Sequence, residues 1–183
     1  DYYKAGLMNF NLGGAFDSRI NLNLREEKGY TYGIGTGFSG GPELGSFRVS
    51  SEINKDATAA SVTEVLRELE RYAAAGMTEE EYQFLQNAIG QRDALAYETP
   101  GAKLGLLAQI LRYDLPLDYR HRQQALLRET DRETLNALAS RLIKADDIAI
   151  VVVGDVPEIR PQLEALGVPI KQLDEDGFEI PEG

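Results

Sequence analysis

Two polar side chains with hydrogen-bond donors lie near the start of the chain, with six residues between them. Arg25 belongs to the charged run at residues 24–29, and Tyr32 belongs to the aromatic segment that follows this run. Gly29 predicts the end of a helix, so we expect Arg25 on the last helical turn and Tyr32 near the start of a strand. A guanidinium and a phenol that converge on one carbonyl oxygen stabilise the negative charge that develops there during attack on a peptide bond.

The same two residues also have a purely structural interpretation. A cation such as Arg25 is favoured at a helix C-terminus by the helix dipole. Tyr32 then serves as an amphipathic strand residue with one end in water. The residue types alone leave both interpretations open.

Other chemistries have little support in this sequence. The chain has no cysteine, and its one histidine, His121, lies between Arg120 and Arg122, so no metal site is predicted in this chain. A serine nucleophile lacks a suitable base. The glycines at residues 33–37 lie inside a strand pattern, whereas a dinucleotide-binding loop opens a helix. A net charge of −11 disfavours nucleic acid as a partner.

Hydrophobic periodicity predicts one α+β domain, a mostly antiparallel β-sheet with helices packed on one face. The domain is expected over residues 1–173 and an acidic tail over 174–183. No apolar run approaches the roughly 20 residues of a membrane span. The predicted strands are 30–38, 45–54 and 147–154, the last of them fully buried, with a turn at 39–42. The predicted helices are 3–12, 17–28, 57–75, 78–97, 99–111, 118–127, 131–143 and 157–166.

The first predicted strand has an unusual glycine face. Tyr30 and Tyr32 begin one face, while Gly33, Gly35 and Gly37 lie on the other. Because glycine weakens a strand, we expect another group to approach this backbone closely. An extended peptide held by strand addition is one such group.

Five features in order resemble the C-terminal domain of pitrilysin/insulinase-type zinc metallopeptidases, over residues 3 to 155. The helix–strand signature comprises residues 12–19 and 24–32. The others are the helix junction 68–81 with Gly76 and a Thr-Glu-Glu-Glu box, the turn 113–117, the box of Thr130 and Glu133, and the closing strand to Asp155.

The resemblance implies that this chain is the non-zinc half of such a peptidase. The family's catalytic arginine and tyrosine fall on Arg25 and Tyr32, and we expect Tyr30, Gly33 and Gly35 to contact the peptide substrate. No cofactor is then expected in this chain, while zinc is expected in the partner half, in the same polypeptide or a separate subunit. Family domains usually begin with a strand pair before the first helix, so the chain is expected to lack its N-terminal strands. The alternative is a catalytically inert member that acts as a structural or assembly subunit.

Overall fold

The computed structural model describes residues 2–40, 45–96 and 98–180. These residues form eight α-helices and one two-stranded antiparallel sheet. The elements are α1 Tyr2–Asn9, α2 Arg19–Asn21, β1 Thr31–Gly40, β2 Gly45–Ile53, α3 Thr58–Ala75, α4 Glu79–Leu95, α5 Pro100–Arg112, α6 Tyr119–Glu129, α7 Arg132–Leu142 and α8 Val156–Glu164. The helices α1 and α2 continue into the π-helical turns Phe10–Gly14 and Leu22–Glu27. The predicted turn at residues 41–42 and the predicted helix end at residue 97 lie outside the described residues.

The β1–β2 hairpin has two chemically different faces. Ile34, Thr36 and Phe38 lie on one face of β1, opposite Ser51, Val49 and Phe47 of β2, and the apolar residues among them pack toward the helices. The opposite face carries glycine, serine and one arginine, and most of it is exposed. Helices therefore cover one face of an antiparallel sheet, which confirms the predicted α+β class.

The main hydrophobic core lies where α1, α3 and α7 pack together. Met8, Leu69 and Leu135 are fully buried there. Tyr72 is also fully buried, and its hydroxyl donates to the Met8 carbonyl at 2.6 Å. Burial raises the pKa of this phenol, so it stays protonated and keeps its donor. None of the helices in the described part of the chain has the length and hydropathy of a membrane span.

A smaller apolar cluster fixes the end of α2 against the hairpin. Ile20 and Leu24 are fully buried, and Ile34 of β1 packs with them. Leu24 immediately precedes Arg25, so this packing determines where the arginine leaves the helix.

Two of the predicted helix starts have the expected caps, and a third differs in detail. In the box before α4, the Thr78 amide donates to the Glu81 carboxylate at 2.7 Å, and the Glu81 amide donates to the Thr78 hydroxyl at 3.2 Å. Thr99 caps α5, with proline at the next position. The cap of α7 is Asp131, which accepts from the Thr134 amide at 2.8 Å. The prediction of Thr130 as the capping residue was therefore wrong by one position.

The prediction of a fully buried strand at residues 147–154 was wrong. This segment has no strand structure, and Val151 and Val153 are 82% and 94% exposed. Its continuous run of apolar residues is typical of a strand that is covered on both faces. Within the described residues no strand pairs with this segment, so the pattern has no sheet to join.

An ion pair joins α2 to the start of α4. Arg19 donates two hydrogen bonds to the Glu81 carboxylate and one to the Gly76 carbonyl at 3.0 Å. Partial burial of Glu81 raises its pKa, but the hydrogen bonds from Arg19 and Thr78 outweigh this effect, and the net pKa lies below the usual range of a glutamate. The ionised carboxylate thus stabilises the fold.

Replacing Glu81 by glutamine is expected to lower the free energy of unfolding by about 2 kcal/mol at pH 7, because Arg19 loses a charged acceptor. Because the pKa of the Glu81 carboxyl is lower in the folded than in the unfolded protein, its ionised form stabilises the fold. This stabilisation is complete at pH values above the unfolded-state pKa of about 4.3. This contribution is lost as the pH falls through the lower folded-state pKa, so the two proteins should converge in acid. Chemical denaturation at a series of pH values measures the difference, with the exposed Glu80→Gln as control. A difference in the free energy of unfolding between wild type and Glu81→Gln that stays constant down to pH 3 would contradict the role of this ion pair.

Candidate functional site

Arg25 lies on the π-helical turn that ends α2, and two neighbours orient its guanidinium. The guanidinium carbon lies 4.0 Å from the centroid of the Phe16 ring, and one nitrogen pairs with Glu26 at 2.7 Å. The side chain is 29% exposed. Stacking on a ring leaves the edge of the guanidinium plane, where its N–H groups point, available to an acceptor. π-helical turns are frequent at functional sites, and this one presents a planar donor.

Tyr32 lies at an irregularity in the register of β1, between Thr31 and Ile34. The Thr31 hydroxyl holds this bulge through contacts with the backbone of Gly33 and the Glu52 carbonyl. The bulge takes Tyr32 out of the regular alternation, and the residue is 99% exposed. The ring therefore contributes no packing to the domain, which removes the structural interpretation of this tyrosine as a half-buried strand residue.

The backbone places Arg25 and Tyr32 at the same end of the hairpin. Gly29 turns the chain with a φ of 66°, and the Tyr30 amide then donates to the Leu24 carbonyl at 2.9 Å. The Tyr30 carbonyl accepts from the Asn54 amide at 2.9 Å, which ties this turn to the end of β2. Among the contacts of these two described residues there is no hydrogen bond between them.

The glycine face of the hairpin is open. A Cβ atom added at Gly33 would come no closer than 4.0 Å to Asn21 Oδ1, and one added at Gly35 no closer than 3.8 Å to the Gly13 carbonyl. The Gly13 carbonyl thus comes within ordinary van der Waals contact of Gly35, while nothing described approaches Gly37 within 4 Å. Residues 35–39 of β1 and Ser46, Arg48 and Ser50 of β2 line a shallow groove of about 440 Å³ on this face.

Side chains close the outer edge of β1. Asn21 donates to the Ile34 carbonyl at 2.6 Å and accepts from the Ile34 amide at 3.0 Å. The next two carbonyls that point the same way, at Thr36 and Phe38, accept from Asn9 at 2.8 Å and from Tyr2 at 3.1 Å. Strand addition by a peptide along this part of β1 is thus blocked. Sequence reasoning missed this role of the asparagines, although polar residues buried on helices are a signal for such partners.

No metal centre is evident in the part of the chain that the structure describes. No group of three or more histidine, aspartate or glutamate side chains comes close enough to hold an ion there. Arg25 and Tyr32 both carry hydrogen-bond donors, which is the kind of group that a developing anion needs.

Comparison with known proteins shows what this chain is similar to. Residues 1–89 match the family described as the peptidase M16 inactive domain, which confirms the resemblance predicted from sequence. A crystal structure of a peptidase M16 inactive domain from Pseudomonas fluorescens has a TM-score of 0.73 and 24% identity, covering 80% of this chain and 35% of that one.

A crystal structure of a conserved protein from Enterococcus faecalis V583 is also similar, with a TM-score of 0.64 and 20% identity. It covers 78% of this chain and 33% of that one. The chain thus spans about a third of the length of the two solved structures. No curated protein matches the chain.

Proposed function

From the match of residues 1–89 to the peptidase M16 inactive domain, we propose that this chain is the non-zinc half of a pitrilysin/insulinase-type metallopeptidase. It supplies Arg25 and Tyr32 to a zinc site on a partner half, in the same polypeptide or a separate subunit. The observation that carries the proposal is the complete exposure of Tyr32 at the hairpin end where Arg25 also lies. A phenol with no packing role in its own domain is available to a ligand.

The proposed chemistry is stabilisation of negative charge. A zinc ion bound in the partner half would supply polarisation of the peptide carbonyl and activation of water. Arg25 and Tyr32 donate hydrogen bonds to the oxygen on which charge develops, and such donors accelerate a reaction when they are oriented before it begins. Stacking on Phe16 supplies this orientation for Arg25. The bulge, which the Thr31 hydroxyl stabilises, fixes the orientation of the Tyr32 backbone.

The proposed substrate is a peptide that lies across the exposed start of the hairpin. Tyr30 is half-buried at the turn, Gly33 is exposed, and Gly35 is half-buried with no side chain close to it. A peptide backbone can approach these glycines without meeting a side chain. Because the edge of β1 is closed from Ile34 onward, the peptide contacts the hairpin before that residue or from the glycine face.

Reconstitution tests the proposal directly. The chain is mixed with a zinc-binding half of the same family, and hydrolysis of a fluorogenic peptide is compared with that of each half alone. We expect the mixture to cleave the peptide, a chelator to abolish cleavage, and this chain alone to show none. Cleavage by the zinc half that is equally fast without this chain would contradict the proposal and favour an inert assembly subunit.

A further inference from the structure

A cation without an anionic partner lies on the open face of the hairpin. Arg48 of β2 is exposed, and no carboxylate in the described part of the chain forms an ion pair with it. The acidic residue of β2, Glu52, lies four positions further along the strand, which separates the two Cα atoms by about 13 Å. Since a guanidinium is charged at every physiological pH, Arg48 presents five unpaired donors and a full positive charge to a ligand.

The backbone around Arg48 leaves room for such a ligand. Gly37 lies directly opposite Arg48 on β1, and a Cβ atom added there would meet nothing within 4 Å. At the next position on this face, the hydroxyls of Ser39 and Ser46 hydrogen-bond to each other at 2.8 Å and remain low and exposed. These residues line the groove of about 440 Å³, and Arg48 is the charged side chain among the described residues that line it.

The groove continues along the strand that carries Tyr32. Gly37 follows Tyr32 by five positions, and a strand rises by about 3.3 Å per residue, so Arg48 is about 16 Å along the hairpin from Tyr32. An extended peptide rises by the same amount per residue. A peptide whose scissile bond lies at Tyr32 and whose chain follows the groove therefore brings a residue about five positions from that bond to Arg48.

We propose that Arg48 is a specificity-determining residue that binds an acidic side chain of the peptide substrate, about five residues from the scissile bond. That the ligand is a peptide rests on the proposed function. That it is acidic follows from charge, because a guanidinium fork pairs with a carboxylate through two parallel hydrogen bonds, whereas a lysine at that position is repelled. The chain as a whole carries a net charge of −11 and does not attract acidic peptides, so the preference is confined to this one position.

Peptide binding to the native protein that contains this chain tests the proposal. A fluorescein-labelled neutral peptide carries one glutamate, which is moved stepwise along its sequence, and each peptide is compared with its glutamine counterpart. Fluorescence anisotropy with a chelator present measures Kd without cleavage. We expect glutamate to lower Kd about 3- to 10-fold at one position, about five residues from the bond that the zinc-loaded protein cleaves. The difference should shrink at high ionic strength.

The two proposals fail in different ways. Cleavage without any preference for glutamate, or with an equal preference at every position, would overturn the role of Arg48 and leave the proposed function standing. A positional preference for glutamate in a zinc-loaded protein that cleaves no peptide would contradict the proposed function and support the carboxylate site.

Charge reversal assigns the preference to Arg48. Arg48→Glu is expected to invert it, so that lysine at the same peptide position binds about 3- to 10-fold more tightly than glutamate. Arg128→Glu makes the same change in net charge on the exposed surface of α6 and should keep the preference for glutamate. Arg48→Gln should abolish the discrimination, and it replaces the reversal if Arg48→Glu does not fold. An inversion in Arg128→Glu as well, or a preference that persists in Arg48→Gln, would overturn the proposal.

Discussion

Replacing Tyr32 by phenylalanine is expected to lower the kcat of the reconstituted peptidase about 10²- to 10³-fold, because one donor to the developing oxyanion is lost. The melting temperature should not change, since the ring is 99% exposed and packs on nothing in its own domain. Steady-state kinetics and thermal melts on the same preparations separate the two effects. Tyr113→Phe is the matched control, because Tyr113 lies at the end of α5 and has no proposed role in catalysis.

Replacing Arg25 by lysine is expected to reduce kcat by a similar factor, about 10²-fold or more. Lysine keeps the positive charge but replaces a planar fork of five donors by a point charge, and it loses the planar stacking on Phe16. The surface ion pair with Glu26 is worth at most about 1 kcal/mol, so the fold should persist. An unchanged kcat in both the Arg25 and Tyr32 variants would leave this domain as a scaffold.

The elements that position this site were largely predictable from the sequence. The box at Thr78 and Glu81, the cap at Thr99 and the alternation along the hairpin are local patterns, and local hydrogen bonds enforce them. The end of the helix near Gly29 was predictable for the same reason, since its φ of 66° favours glycine.

The details that decide the site were not predictable from periodicity. The bulge at Tyr32 depends on hydrogen bonds from Thr31 to β2, which join residues 21 positions apart in the chain. The closed edge of β1 depends on asparagines of two different helices. The segment at residues 148–153 shows the converse case, because its composition is that of a strand buried on both faces while no strand of the described residues pairs with it. A sequence pattern thus indicates which secondary structure a segment favours. Contacts with other parts of the chain determine whether that structure forms.

The glycine pair at the end of α1 joins this helix to β1 at the centre of the domain. A Cβ atom added at Gly13 would lie 2.7 Å from Thr36 Cγ2 and 2.9 Å from Thr36 Cβ. Thr36 has no room to retreat, because its hydroxyl donates to Asn9 Oδ1 at 2.6 Å and its carbonyl accepts from the Asn9 side chain at 2.8 Å. Both partners are buried. The close approach of helix and strand therefore requires glycine here.

Replacing Gly13 by alanine is expected to lower the free energy of unfolding by about 3 kcal/mol, since the added methyl group either overpacks the contact or breaks the buried hydrogen bonds of Thr36. Gly6→Ala is the matched control on the same helix, because a Cβ atom there meets nothing within 4 Å. That variant should gain about 0.5 to 1 kcal/mol from the better helix propensity of alanine. Urea denaturation of both variants measures the difference. The double variant with Thr36→Ala should recover part of the loss if the clash is its cause, whereas a Gly13→Ala protein as stable as the wild type would show that helix and strand separate easily.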